Sequence, residues 1–212
     1  MKHVIDLTMT FGPNSKGFSK ETSKTLKKDG WNASSLTFYS HSGTHMDAPV
    51  HFDVSDQTID KIAVSNFVGR AWIVDLRNKG SKSLIYSNDI PTEILKEFRS
   101  GDSLILWTDW SKHVSLPKYR DELPRVSEEL AFWCVKNGVK MLGVEPPSVA
   151  DVNNIEEVTK IHQILLQSVV IIEGLTNIEM VNSNCVELIA LPLKIYGGDG
   201  APARVIAIQK DL

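Results

Sequence analysis

Cysteine is scarce. Cys134 and Cys185 are the only two in 212 residues, and their separation fits neither a disulfide framework nor a thiolate metal site. Both lie in apolar segments and read as buried thiols. Basic charge is not in excess either: 23 Lys and Arg against 26 Asp and Glu leave a formal net charge of -3, which argues against a nucleic-acid partner. Long apolar runs are missing. The longest, residues 164–172, is broken by Gln167 and Ser168 and is too short to cross a bilayer, so no membrane partner is expected. His3 and Asp6 interrupt the apolar start, so no signal peptide is read there, and a cytoplasmic protein is the expectation. No internal repeat is visible. Hydrophobic residues at 42% and charged residues at 23% are ordinary for one soluble globular domain, taken as residues 1–212.

Histidine is also sparse, but it is concentrated. Three of six fall within residues 41–51, in the string HSGTHMDAPVHF, with Asp47 between the second and third. Imidazole and carboxylate are ordinary ligands of divalent metals, so His41, His45 and Asp47 are candidate ligands of one centre. Gly43 permits a tight turn, and Pro49 disfavours helix at Ala48. The stretch reads as a shaped loop or irregular strand rather than a helical zinc motif, even though His41 and His45 are four residues apart. A polar loop rich in histidine is the plain alternative.

Strands are expected at residues 3–7, 36–39, 68–76, 103–108, 139–144, 169–172, 185–193 and 204–208, from their β-branched and aromatic content. Helices are expected from Asn88 to Phe98 and from Ser127 to Asn137, the first capped by Asn88 and the second by Ser127 with an acidic first turn, and a short helix over residues 155–166. Residues 10–33 hold three glycines, a run of lysines and the isolated aromatics Phe11, Phe18 and Trp31, and read as an extended arm or loop. Buried strands alternate with helices in the middle, and strands dominate both ends. The fold class is therefore α/β with a mixed sheet in a single domain.

Two residues further on are ambiguous. His162 on a helix is a core residue or a ligand, and Glu173 ends a buried strand, where a carboxylate needs a partner. Phe11, Phe18 and Trp31 of the arm, with Trp107 and Trp110, are candidates for an aromatic pocket that takes a planar ligand; the alternative is that Trp107 and Trp110 are core or interface residues.

The string HSGTHMDAPVHF resembles the HxGTHxDxPxHF signature of the metal-dependent cyclase/hydrolase family, which includes bacterial kynurenine formamidases and isatin hydrolases. LPLKIYGGDGAPARV resembles its closing motif, GVEPPSV a stretch between them, and the resemblance runs from about Ile5 to Val205. It implies a barrel-like sheet flanked by helices, of the swivelling β/β/α type. It also implies a two-metal site in which Asp47 bridges and His162 and Glu173 complete the second position. Here those two are one residue closer in sequence than in the family pattern. The implied cofactor is a divalent metal, zinc with manganese as the alternative, in one or two equivalents per chain. His51 resembles the family's general acid/base; a third ligand, or a donor to one, is the alternative.

The resemblance further implies a hydrolase acting on C–N bonds other than peptide bonds, with a metal-bound hydroxide attacking an amide carbonyl. Arylformamide hydrolysis is the leading expectation. The alternatives are opening of a cyclic amide or ester, or an inactive metal-binding member. The expected partners are an aromatic or cyclic small-molecule substrate and a second copy of the chain, with the arm docked across a homodimer.

Overall fold

The computed structural model describes residues 2–13 and 15–210. In chain order the strands are β1 (Lys2–Asp6), β2 (Phe18–Lys24), β3 (Ala33–Phe38), β4 (His45–Asp47), β5 (Val68–Asp75), β6 (Leu84–Ile85), β7 (Ser103–Trp107), β8 (Arg125–Val126), β9 (Met141–Val144), β10 (Val170–Glu173), β11 (Cys185–Pro192) and β12 (Gly200–Lys210). The α-helices are α1 (Leu26–Asp29), α2 (Thr92–Glu97), α3 (Lys118–Asp121), α4 (Glu128–Asn137) and α5 (Ile155–Leu165).

An eight-stranded mixed sheet runs in the order β1-β12-β11-β5-β7-β9-β10-β4. It closes on itself, because the first residues of β12 also pair with β4, Gly200 opposite Asp47 and Pro202 opposite His45. β1 takes the remainder of the same edge, from Ile206 to Lys210. The pairs β5–β7, β7–β9 and β9–β10 are parallel, and parallel neighbours need a crossover. α2, α4 and α5 supply these crossovers in turn and lie on the outside of the closed sheet.

Alternation along the strands separates two cores. Ala71, Ile73, Ile105, Met141, Val170 and Ile172 point into the barrel, with Met46, Leu188 and Val205. Trp72, Val74, Leu104, Leu106, Leu142, Val144 and Ile171 point outward, under α4 and α5. Period-two alternation with both faces covered produces the nearly continuous apolar runs of these strands. It also fixes the outward side of β4 and β10. Met46 and Ile172 face the barrel, so their neighbours His45, Asp47 and Glu173 face the helical layer.

α4 begins as the sequence predicts, with Ser127 Oγ accepting from the Leu130 amide; α5 is capped by Asn154, whose Oδ1 accepts from the Glu157 amide. The other expectations need two corrections. The helix expected from Asn88 starts later. Asn88 lies in a short 3-10 turn, and Pro91 is the N-cap of α2, because proline fixes an extended approach and lacks the amide that a longer helix would use. Residues 10–33, expected as an extended arm or loop, carry regular structure. β2 pairs antiparallel with β3 in an exposed two-stranded hairpin, joined by α1. Both faces of this hairpin are exposed along most of its length, so no hydrophobic alternation marks it. Its base is packed by Phe11, Phe18 and Phe38, with ring centroids 5.0–5.2 Å apart.

Candidate metal centre

The centre lies between the outer face of the sheet and α5. Antiparallel pairing sets Glu173 of β10 directly opposite His45 of β4, and Asp47 follows His45 on the same face. α5 crosses above and brings His162 down: its Nε2 lies 3.4 Å from Glu173 Oε1 and 3.5 Å from Asp47 Oδ2. His45 Nε2 lies 3.2 Å from Glu173 Oε2 and 3.6 Å from Asp47 Oδ1. His41 Nδ1 lies 2.8 Å from Asp47 Oδ1. All five residues proposed from the sequence as ligands therefore meet, and the short His162 to Glu173 spacing does not keep those two apart.

Two overlapping groups result. His41, His45 and Asp47 form one; Asp47, His162 and Glu173 form the other. Within each, the candidate ligand atoms lie within 4.8 Å of one another. Asp47 is common to both, its Oδ1 turned toward the first group and its Oδ2 toward His162 in the second. His45, Asp47, His162 and Glu173 are all buried. A buried ion costs several kcal/mol unless it is paired and hydrogen-bonded. Yet His45 Nε2 and Asp47 Oδ2 are buried with no hydrogen-bond partner among the described residues. Two carboxylates at close quarters and two orphaned donor atoms of this kind fit a divalent cation.

The titration tendencies agree. Burial works against ionisation of Asp47, but the hydrogen bond from His41 and the charges of His45 and His162 hold its carboxyl well below the usual carboxylate range. Burial and the charge of Asp47 oppose ionisation of Glu173, and His162 and His45 lower its pKa past both. Burial also opposes the cationic forms of His41, His45 and His162. For each, neighbouring carboxylates outweigh it and raise the pKa: Asp47 at His41, Glu173 at His45 and His162. The site is built to concentrate positive charge between carboxylates.

His51 sits at the mouth of the centre. The 3-10 turn Pro49–Phe52 carries it back so that its ring stacks on His41, with centroids 3.9 Å apart and planes at 21°. The next residue, Phe52, stacks on His162 at 4.3 Å. Burial pushes the His51 pKa down; the charge of Asp47 opposes this, and those of His41 and His162 reinforce it.

One residue escaped the sequence reading. Asp199 Oδ2 lies 3.3 Å from His41 Nε2 and 4.0 Å from His51 Nδ1. A lone acid between glycines in the closing motif was the only signal. The proposed aromatics do not converge on one pocket in this chain. Trp31 is exposed on the hairpin. Trp110 is core, its Nε1 donating to the Tyr119 carbonyl, and Trp107 is half-buried under the Arg77 guanidinium. Phe11 packs over Gly43, where a side chain would be 3.1 Å from its ring and where φ is +59°.

Fold and centre together define a class of metal-dependent hydrolase, and comparison with known proteins agrees. The model of the family described as putative cyclase matches residues 5–151, and this chain belongs to that family. A kynurenine formamidase of Bacillus cytotoxicus is 32% identical over 197 residues, covering 92% of this chain and 88% of that protein. One of Bacillus anthracis is 30% identical with the same coverage. Among solved structures, isatin hydrolase A of Labrenzia aggregata, bound to benzyl benzoate, superposes with a TM-score of 0.88 at 22% identity, covering 99% of this chain and 94% of that one. A structure described as a potential metal-dependent hydrolase with cyclase activity superposes with a TM-score of 0.78 at 24% identity, covering 99% and 100%. At these identities the structural likeness supports the barrel-like fold. Among the described residues no helix is long and apolar enough to cross a membrane.

Proposed function

We propose that the chain is an arylformamidase: a metal-dependent hydrolase that cleaves the C–N bond of an aryl formamide, releasing formate and an arylamine. The observation that carries the metal reading is the pair of orphaned buried atoms, His45 Nε2 and Asp47 Oδ2, among two buried carboxylates. The curated relatives named kynurenine formamidase support the substrate class. His41, His45 and Asp47 would hold one cation, and Asp47, His162 and Glu173 would hold a second. Zinc suits the histidine-rich first group, and manganese is the alternative. A divalent cation bound there supplies Lewis-acid polarisation of a carbonyl and a water acidified toward neutral pH.

The chain's own residues do the rest. The buried ligand shell holds its geometry before substrate arrives, so little reorganisation is needed during reaction. His51, neutral and beside His41, takes a proton at its free ring nitrogen from the attacking water and returns it to the leaving amine nitrogen as the C–N bond breaks. Opening of a cyclic amide or ester is the second reading, favoured by the likeness to isatin hydrolase A.

The hairpin carries exposed Leu26, Trp31, Leu36 and Tyr39, more large apolar surface than a free two-stranded element holds comfortably in water. It docks on a second copy in a homodimer and reaches toward that copy's site. The two free thiols suit a reducing cytoplasm.

The test is a hydrolase panel with aryl formamides, lactams and lactones, run with zinc and with manganese. His45→Ala should lose most of the metal and the activity together. His51→Ala should keep metal and fold but lose at least about a hundredfold in turnover. Metal retained in full by His45→Ala would sink the centre; metal lost from His51→Ala would make His51 a ligand. A monomer by light scattering at micromolar concentration would refute the docked hairpin.

A further inference from the structure

In two of the three candidate ligand histidines, one ring nitrogen is committed to a backbone carbonyl. His45 Nδ1 donates to Gly43 O at 3.0 Å, and His162 Nδ1 donates to Val158 O at 2.7 Å. A carbonyl oxygen can only accept, so the proton sits on Nδ1 in both rings, and Nε2 carries the free lone pair toward the carboxylates. His41 is turned the other way. Its Nδ1 faces Asp47, and its Nε2 faces Asp199 Oδ2 at 3.3 Å. We propose that Asp199 is a positioning residue of the centre: when a cation displaces the Nδ1 hydrogen that His41 shares with Asp47, Asp199 accepts the remaining hydrogen on Nε2 and so fixes the tautomer in which Nδ1 is the ligand nitrogen. The inference rests on the metal reading above and assigns a residue that the signature does not contain.

The surroundings hold Asp199 for this task. Its backbone carbonyl accepts from the Ala48 amide at 2.9 Å, and the neighbouring Gly198 carbonyl accepts from the Ile59 amide at 2.9 Å. The next residue, Gly200, pairs with Asp47 across β12 and β4. Asp199 is thereby tied on one side to β4 and on the other to the 3-10 turn that begins at Ile59. Of the partners of the three ring nitrogens turned away from the candidate ligand positions, Asp199 is the charged one; the other two are peptide carbonyls. A carboxylate behind a ligating imidazole orients the ring and raises its basicity, an arrangement whose removal typically costs about 10- to 100-fold in metal affinity. The same carboxylate lies 4.0 Å from His51 Nδ1, so one side chain stands between the first ligand and the proton carrier stacked upon it. His41, His51 and Asp199 are also close enough to hold an ion themselves. The orphaned buried atoms lie in the other groups, which favours Asp199 as an acceptor rather than a ligand.

The experiment is zinc titration of the metal-free full-length chain by calorimetry, with elemental analysis, for wild type, Asp199→Ala, Asp199→Asn and His41→Ala. Long-range 1H–15N spectra of the zinc-loaded protein report which nitrogen of His41 is metallated. The expected result is that Asp199→Ala keeps the wild-type stoichiometry but weakens, by about 10- to 100-fold, the equivalent that His41→Ala abolishes. Asp199→Asn should recover most of that affinity, because its carboxamide oxygen accepts the same hydrogen while ligating metal poorly. His41 should be metallated at Nδ1 and protonated at Nε2. Wild-type affinity in Asp199→Ala, or ligation of His41 through Nε2, overturns the proposal. Outright loss of an equivalent in both Asp199 variants makes Asp199 a ligand and overturns it too. A wild-type chain that binds no zinc and no manganese refutes the metal reading itself, before any variant is compared.

Discussion

Gly200→Ala tests how tightly the closure of the barrel and the centre are joined. An alanine Cβ at this position would lie 2.7 Å from the Met46 carbonyl oxygen and 2.7 Å from His41 Cε1, with His41 Nδ1 at 3.2 Å. Favourable contacts of this kind lie near 3.5–4.0 Å, so each of the two closest is short by roughly 0.8 Å. Gly200 is not among the residues of positive φ, so backbone conformation is not the obstacle, and the effect is steric. Met46 cannot retreat, because β4 is held by β10 on one side and β12 on the other. The His41 ring must move, or the β12–β4 pairing must open. Overpacking of this sort costs about 1–3 kcal/mol, which for a chain of this size lowers Tm by roughly 2–12 °C. Misplacing this candidate ligand ring by a large fraction of an ångström should also cost up to about 100-fold in turnover. The assay is thermal melting by circular dichroism, with metal content and hydrolysis measured on the same preparations. Gly80→Ala, where a Cβ would meet nothing within 4 Å, is the control. Wild-type Tm, metal content and activity in Gly200→Ala would refute the reasoning.

Three further outcomes are expected. The metal-free protein should be most stable between about pH 4.5 and 6.5. The depressed carboxylates Asp47 and Glu173 contribute above their ordinary values of 3.8 and 4.5, and that contribution is lost as pH falls through the lower folded values. The raised His41, His45 and His162 contribute below their ordinary 6.5, and that contribution is lost as pH rises through the higher folded values. Melts in chelator from pH 4 to 9 check this, and a profile still rising above pH 7 would count against it. Asp102→Ala should destabilise by about 1–3 kcal/mol in urea unfolding, since Asp102 accepts from Arg70, the Arg99 amide and the buried Trp72 Nε1, and the indole is left without a partner. Leu106→Ala, beneath the helical layer, should cost about 2–5 kcal/mol by the same assay, with metal content unchanged.

Much of the centre was legible along the chain. His41, His45 and Asp47 lie within seven residues, and His45 and Asp47 two apart share one face of any extended segment. The alternation of apolar strands with capped helices gave the parallel middle of the sheet, because each crossover element must bury one face against it. Spacing could not decide whether His162 and Glu173 were ligands or core. That depended on the antiparallel register setting Glu173 opposite His45 and on α5 crossing above them. Of the hairpin over residues 18–38 only the end of its second strand was read, from residue 36, because neither of its faces is buried along most of its length, and burial is what writes a strand into a sequence. Asp199 stands 158 positions beyond His41. Only closure of the sheet, with Gly200 of β12 seated opposite Asp47 of β4, brings its carboxylate to the ring, and a contact made by joining two distant strands leaves no local pattern to read.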